Sequence, residues 1–182
     1  MTTLFLWCTP LAEHKTTLAE LALFGILGAL TFGLKVVMAG LPNIEPVSLM
    51  VMLFAVTFGR KALYPIYVYV LLEFLLYGLN LWSINYLYIW SILAAAVWFL
   101  RKESHPLAWA LLSGGFGLLF GALCAPVDVF IGGVGYAVGR WASGIPFDLL
   151  HGAGNFVIAL GLFAPMRRLM DRLYQSMRGN HR

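Results

Sequence analysis

Charged side chains are too scarce in this chain to cover a water-facing surface. Of its 182 residues, 12 are Lys or Arg and 8 are Asp or Glu, so 11% of the chain is charged, against roughly 25% in a soluble domain. The hydrophobic share is 61%, and long apolar runs of this kind are typical of proteins whose main solvent is lipid. The composition therefore disfavours soluble enzymes and nucleic-acid-binding modules, and it predicts a multi-pass protein of the cell membrane.

Six apolar segments are separated by short connections rich in Gly, Pro, Asn or charged residues. They span residues 17–39, 46–58, 63–79, 83–100, 107–131 and 146–165. Because a bilayer-crossing helix needs about 20 apolar residues, the chain is predicted to form one all-α transmembrane domain over residues 1–182, with six helices. The second segment is short, and we expect a tilted or re-entrant helix, or one that extends through Arg60. No removable signal peptide is recognisable, so the first span is expected to direct insertion.

Basic residues mark alternate connections. Ten Lys and Arg residues precede the first segment, lie in the second and fourth connections, or belong to the tail 166–182, whereas Arg140 alone lies in the other connections. The positive-inside rule then predicts that both termini are cytoplasmic, an N-in/C-in topology. The basic tail is expected to lie on anionic headgroups.

Lys35, Glu73 and Asp128 are ionisable residues inside apolar segments, where charge is costly and usually faces a protein interior or a wet cavity. Lys35, near the outer end of the first span, either snorkels to the interface or binds a ligand. Glu73, in the middle of the third span, is expected to form an interhelical bond or to face a cavity. Asp128 follows Pro126, which frees a backbone carbonyl, and it is expected to contact a ligand or to cap a helix.

The opening of the sixth span carries the densest polar pattern. Asp148, His151 and Asn155 follow Pro146 at spacings of three and four, so they share one helix face. This stripe predicts either a ligand contact or a helix cap combined with interhelical bonding. A suitable Ser or Cys motif and a second outer histidine are missing, so no catalytic residue and no metal site are predicted.

Aromatic residues gather in the outer halves of the spans. An interfacial belt explains most of them. A smaller group is also positioned to line a pocket for a flat or bulky ligand, namely Tyr86, Trp90 and Trp141, beside Asn85 and Arg140.

Small residues recur every four positions in two spans. Gly25, Ala29 and Gly33 form such a stripe in the first span, and Gly117 and Gly121 begin another in the fifth. Stripes of this kind let a second helix approach closely. The two cysteines, Cys8 and Cys124, are far apart in the sequence, and neither a disulfide nor a metal site is predicted from them.

Together, several of these features resemble the substrate-binding S-components of energy-coupling factor (ECF) transporters. The resemblance rests on six spans with both ends inside, the small-residue stripe of span one, the segment LPNIEPV at residues 41–47, and GIPFD at residues 144–148. Within the family, the chain looks most like the branch assigned to cobalamin or to queuosine precursors.

This resemblance implies a bundle that captures a vitamin from outside and topples in the bilayer to release it. The implied partners are a transmembrane scaffold subunit, which docks on Gly25, Ala29 and Gly33, and two ABC-type ATPases. The loops 40–45, 78–83 and 132–145 would gate the cavity. The predicted substrate-binding residues are Lys35, Asn43, Glu45, Asn85, Tyr86, Asp128, Arg140, Trp141, Asp148, His151 and Asn155.

The chain contains no Walker A loop, so ATP hydrolysis is assigned to the partners; no enzymatic activity and no intrinsic cofactor are predicted. Cobalamin is the first candidate substrate, and a queuosine precursor or another small vitamin is the alternative. Two other classes stay open: a polytopic membrane enzyme that uses Asp148 and His151 as an acid–base pair, and a purely structural subunit.

Overall fold

The described part of the chain is built from helices. The computed structural model describes residues 16–41 and 43–179, and for residues 178 and 179 the backbone alone. No strand occurs within these ranges, so the all-α prediction is confirmed for them. Predictions that involve Cys8, Lys15, Pro42 and the tail beyond residue 179 lie outside the described residues. The helices are α1 (Leu18–Val37), α2 (Val47–Phe58), α3 (Leu63–Tyr77), α4 (Leu81–Phe99), α5 (Pro106–Leu118) and α6 (Phe120–Gly179), with a 3₁₀ turn (Gly59–Ala62) between α2 and α3.

Two of the helices begin with reciprocal side-chain caps. The Thr17 hydroxyl accepts the backbone N–H of Glu20 while the Glu20 carboxylate accepts that of Thr17, both at 3.1 Å. Asn80 and Ser83 do the same at the start of α4, at 3.0 and 2.9 Å. Such capping boxes satisfy backbone donors that the first helical turn leaves unpaired, and they fix where α1 and α4 begin.

Four helical stretches among the described residues are long and apolar enough to cross a membrane: Leu18–Val37, Val47–Tyr77, Leu81–Phe99 and Pro106–Met177. The second and fourth contain 31 and 72 residues, more than the roughly 20 of one crossing. Each of these two contains a break, at the 3₁₀ turn and at Gly133 respectively. The helices thus fit a membrane protein by length and composition.

The chain reverses direction at the 3₁₀ turn, so α1 and α3 run parallel to each other. The Phe24 ring lies 5.1 Å from that of Phe58 and 5.6 Å from that of Tyr64, at one end of the bundle. At the other end the ring of Phe32 lies 6.1 Å from that of Tyr77. We call this second end, where α1 and α3 finish and α2 and α4 begin, the cavity end, because it holds a cavity; the opposite one is the basic end.

Helix α2 is the centre of the bundle. Its first nine residues, 47–55, are each 2% exposed or less, and it packs on α1, α4 and α6. A helix that is apolar all round must be enclosed, and one enclosed by protein need not reach across the lipid alone. The expected short second span is therefore a regular helix of 12 residues covered by its neighbours.

Helices α5 and α6 form a long antiparallel hairpin whose tip is Gly133. At φ 79° and ψ 177°, Gly133 adopts a conformation that side-chain-bearing residues avoid, and it divides α6 into a first limb (120–132) and a second limb (134–179). Within the hairpin, residues that come later in α5 and the first limb contact residues that come earlier in the second limb. Gly121 donates its N–H to Asp148 Oδ1 at 3.1 Å, and a Cβ built on Gly117 would lie 2.8 Å from the Gly152 backbone.

The prediction that residues 132–145 form a glycine-rich loop is wrong from residue 134 onward, because these residues continue the second limb as helix. Glycine disfavours an isolated helix by about 1 kcal/mol per residue, but tertiary contacts stabilise this one. Arg140 Nε lies 3.4 Å from Asp128 Oδ1 on the first limb, and its guanidinium lies over the Trp82 ring, 5.7 Å from the centroid. Residues 134–145 therefore form a helical element instead of a loop.

Candidate ligand-binding cavity

A cavity of about 790 Å³ opens at the cavity end of the bundle. Ligand pockets are typically about 300–1,000 Å³ in volume and are lined by apolar walls with a few polar groups. The end of α1, the connection after it, the start of α4 and both limbs of α6 contribute to its walls. Nine of the eleven predicted substrate-binding residues line it: Lys35, Asn43, Glu45, Tyr86, Asp128, Arg140, Trp141, Asp148 and His151.

Lys35 points into the bundle and not out to the interface. Its Nζ lies 2.7 Å from Glu73 Oε2 and 3.5 Å from the Tyr86 hydroxyl. It also lies 5.0 Å from the centroid of the Tyr86 ring and 5.7 Å from that of Tyr77, within reach of a cation–π attraction. The interhelical bond expected for Glu73 is thus present, and Lys35 links that buried carboxylate to the cavity wall.

Arg140 and Asp128 form the second ion pair of the cavity, at 3.4 Å. Asp128 is buried, at 3% exposure, so its charge needs a partner. Because Arg140 also covers the Trp82 ring, it is fixed between two elements, the first limb of α6 and the start of α4. Both basic residues of the cavity therefore already have an anionic partner within the protein.

Asp148 and His151 each have a polar atom with no hydrogen-bond partner among the described residues. The Oδ1 atom of Asp148 accepts the Gly121 N–H, but its Oδ2 accepts no hydrogen bond, and neither does His151 Nε2 form one. The side chains are 8% and 5% exposed. The His151 ring packs edge-on against Phe120, with 4.9 Å between the centroids. Unsatisfied buried polar atoms are unusual, and here they belong to the wall of a cavity.

The connection between α1 and α2 closes one side of the cavity. Asn43, at φ 55°, donates its Nδ2–H to the carbonyl oxygen of Phe147 at 3.3 Å, which ties the connection to the second limb. Glu45 is half-buried beside it. Burial raises the pKa of the Glu45 carboxyl, and the nearby Lys35 charge opposes that rise only in part.

Asn85 and Asn155 lie away from the cavity lining, although the sequence predicts both as substrate-binding. The Asn85 amide oxygen accepts the Tyr88 hydroxyl at 2.9 Å. The Asn155 amide donates to the Ser48 hydroxyl at 2.9 Å and to the Ser113 carbonyl at 3.4 Å. These bonds join α6 to α2 and α5, as the interhelical alternative for the stripe predicts.

Eight further lining residues are absent from the predicted site. They are Trp82, Phe120, Gly121, Cys124, Tyr136, Ser143, Gly144 and Phe147. Trp82 and Tyr136 are two of the aromatic residues near the ends of the apolar segments, most of which an interfacial belt explains. If residues 134–145 are taken as a helix, Tyr136, Arg140 and Ser143 lie near one face of it. The glycines of this segment predict a loop instead, so the sequence does not indicate that shared face.

The small-residue stripe of α1 faces away from the bundle core. Gly25 is partly buried and Ala29 and Gly33 are exposed. A Cβ at Gly25 or Gly33 would meet no described atom within 4 Å, whereas one at Gly28 would lie 2.6 Å from Val68. The stripe at Gly117 and Gly121 is used differently, since it packs within the hairpin.

No group of three or more His, Cys, Asp or Glu residues that could hold a metal ion occurs in the ranges the structure covers. No protein-family model, no curated protein and no solved structure matches the chain. The cavity and the distribution of charge are therefore the features of the molecule that bear on its function.

Proposed function

We propose that this chain is the substrate-binding S-component of an ECF-type importer, which captures a vitamin from outside the cell. The observation that carries the proposal is the cavity itself. It is a pocket of ligand size at one end of an apolar bundle, and its wall combines charged and aromatic side chains. The proposal assigns the chain a binding role and no catalytic step.

The distribution of charge supports an outward-facing cavity. Basic residues gather at the opposite end, where Lys61 Nζ lies 2.7 Å from Glu20 and Arg167 Nε lies 3.8 Å from Asp171. By the positive-inside rule, that end faces the cytoplasm. In the proposed N-in/C-in topology, α1, α2, α3, α4, α5 with the first limb, and the second limb are the six crossings.

The cavity volume bears on the substrate. At about 30 Å³ for each water-sized group, 790 Å³ holds on the order of 26 non-hydrogen atoms. Cobalamin, the first candidate, is several times larger, so most of it would stand outside the mouth. A queuosine precursor or another small vitamin would be enclosed, and the volume favours that alternative.

The proposed partners are a transmembrane scaffold subunit and two ABC-type ATPases that use ATP. The stripe Gly25, Ala29 and Gly33, which faces away from the bundle core, supports docking on α1, because small residues let a partner helix approach the backbone closely. An apolar band suits a protein that topples in the bilayer, since charge on the lipid-facing side would be costly.

The test is ligand binding by the purified full chain, followed by association with an ECF module. Calorimetry is performed with cobalamin, queuosine precursors and other vitamins, and visible absorption reports bound corrinoid. Trp141→Ala, in the cavity wall, should weaken binding about tenfold, since an aromatic contact contributes roughly 1 kcal/mol beyond its buried area. Phe130→Ala is the matched control, because Phe130 is on the same helix, is 92% exposed and does not line the cavity. Absence of vitamin binding, together with absence of a co-purifying ATPase, would exclude the proposal.

A further inference from the structure

The charges of the cavity do not balance. Its wall contains two basic side chains, Lys35 and Arg140, and three carboxylates, Glu45, Asp128 and Asp148. Lys35 is paired with Glu73 behind the wall, and Arg140 with Asp128. Glu45 and Asp148 remain, and among the described residues neither forms an ion pair. The cavity therefore presents unneutralised negative charge to whatever enters it.

Two of the buried polar atoms without partners lie at the same place. Asp148 Oδ2 and His151 Nε2 are buried on one face of the second limb and bond to no described residue. A buried polar atom without a partner costs about 1–3 kcal/mol. A ligand with an N–H group or an ammonium group would satisfy the Asp148 oxygen and neutralise its charge at the same time.

The walls beside these atoms are flat and aromatic. The Phe120 ring packs on His151, with 4.9 Å between the ring centroids, and on Tyr86, with 6.5 Å between them. Trp141 lines the cavity from the second limb. Aromatic faces stack on planar rings and attract cations. This arrangement suits a planar heterocycle better than a flexible chain.

An anionic ligand would meet the opposite conditions. It would have to draw Lys35 from a 2.7 Å contact with Glu73, or Arg140 from Asp128, and so leave a buried carboxylate unpaired. Breaking one side of a buried ion pair is strongly destabilising. The same cavity that favours a cation therefore disfavours a ligand whose binding group is a carboxylate or phosphate.

We propose that the ligand is a planar heteroaromatic compound with a cationic nitrogen group, a protonated amine or amidinium, that binds the Asp148 carboxylate beside His151. This inference rests on the proposed function and narrows its substrate class. Glu45 adds negative charge to the same cavity and strengthens the attraction. Asp148 is then a specificity-determining residue.

The experiment titrates the purified full chain with probes of three charge classes and follows its tryptophan fluorescence, to which Trp82 and Trp141 in the cavity wall contribute. The cationic probes are thiamine and the aminomethyl form of the deazaguanine queuosine precursor. The neutral ones are its nitrile form, riboflavin and cobalamin, and the anionic ones are pantothenate and biotin. We expect a cationic probe to bind tightest, and the aminomethyl form to bind at least about tenfold tighter than the nitrile form, since a hydrogen bond to a charged group is the stronger kind.

Two substitutions identify the contact. Asp148→Asn should lower affinity for the cationic probe about tenfold or more and leave that for the nitrile form nearly unchanged, because the amide oxygen still accepts the Gly121 N–H. Glu45→Gln should lower the affinity for the cationic probe by a smaller factor. It replaces Asp148→Asn as the test if that variant folds poorly. Asp171→Asn, a carboxylate of the same helix at the basic end, is the control with no expected effect.

The outcomes are distinct. Tightest binding of a neutral or anionic probe would overturn the cationic ligand and leave the proposed function standing. Cationic binding that Asp148→Asn and Glu45→Gln both leave unchanged would also overturn it. Binding of no probe at all would contradict the proposed function and, with it, the cationic ligand.

Discussion

Lys35 Nζ lies 2.7 Å from Glu73 Oε2, so the cavity wall and the buried middle of α3 are joined by one ion pair. The two side chains are unequally covered, with 19% of Lys35 and 5% of Glu73 exposed. The ammonium also has the Tyr69, Tyr77 and Tyr86 rings around it. The cost of losing one partner should therefore depend on which partner is lost.

Lys35→Met should destabilise the protein by about 3 kcal/mol, because it leaves the Glu73 carboxylate buried and unpaired. Glu73→Gln should cost less, since the ammonium keeps its aromatic neighbours and access to the cavity. The double variant should be more stable than Lys35→Met alone, which thermal unfolding in detergent measures. Additive losses in the double variant would argue that the two residues are not coupled.

The hairpin of α5 and α6 depends on glycine at specific contacts. Gly117→Ala should destabilise by about 1–3 kcal/mol, because the new Cβ would lie 2.8 Å from the Gly152 backbone, and backbone atoms cannot yield easily. Gly115→Ala is the matched control in the same helix. A Cβ there meets no described atom within 4 Å, so the higher helix propensity of alanine should leave stability unchanged or slightly raised. Equal effects at the two positions would contradict the packing argument.

Asn155 separates a structural polar group from a ligand contact. Asn155→Ala should lower stability by about 1–3 kcal/mol, because its buried partners Ser48 and Ser113 lose a donor. Ligand affinity should stay the same, since Asn155 does not line the cavity. His151→Ala provides the comparison on the same helix face, with an expected loss of affinity. A large affinity loss from Asn155→Ala at unchanged stability would show that Asn155 contacts the ligand.

How far the sequence predicts this site can be judged from single residues. Lys35, Asp128 and Asp148 interrupt apolar runs near one end of the spans, and charge at depth usually faces a cavity or a partner. That local signal predicted a cavity contact for each of them as one of two alternatives. It did not give the pairing, because Lys35 and Glu73 are 38 residues apart and sequence spacing says nothing about which helices adjoin.

The helix over residues 134–145 is a second feature that the sequence alone does not predict, because tertiary contacts determine it. Gly135, Gly139 and Gly144 favour a loop on intrinsic propensity. The contacts of Arg140 with Asp128 and Trp82 are tertiary and outweigh that preference. Asn155 is the opposite case, because the sequence correctly predicts that it shares one helix face with His151. Only the packing of α2 and α5 on that face determines that the Asn155 amide is hydrogen-bonded between helices and does not face the cavity.

The outward stripe of α1 separates docking from folding. Gly25→Leu should leave stability and ligand binding unchanged, since no described atom lies within 4 Å of the added Cβ, and it should abolish uptake in cells that supply the ECF module. Gly28 precedes Ala29 in the sequence but faces the bundle core. Gly28→Leu should instead disrupt the fold, because the new side chain would clash with Val68 and Pro65. Normal uptake by Gly25→Leu would show that the scaffold subunit does not dock on this face of α1.

Glu45 should stabilise ligand binding at the expense of the ligand-free protein. Burial raises the pKa of its carboxyl, so the carboxylate is less favourable in the folded protein than in the unfolded chain. As the pH rises from the ordinary glutamate pKa of about 4.3 through the raised pKa, the ionised group lowers the free energy of unfolding. Glu45→Gln should therefore raise the melting temperature at neutral pH, have no effect below that ordinary pKa, and weaken binding of the aminomethyl deazaguanine probe.

Glu103 is the control with the opposite sign. Its carboxylate accepts the backbone N–H groups of Ser104 and His105 at 2.7 and 2.8 Å, and these bonds lower the pKa of the Glu103 carboxyl. Its stabilising contribution is present above the ordinary glutamate pKa and is lost as the pH falls through the lowered one. Glu103→Gln should thus lower the melting temperature at neutral pH, with the difference disappearing in acid, and leave probe binding unchanged. If Glu45→Gln also lowered the melting temperature at neutral pH, the carboxylate would be stabilising in the ligand-free protein, and the trade between stability and binding would be refuted.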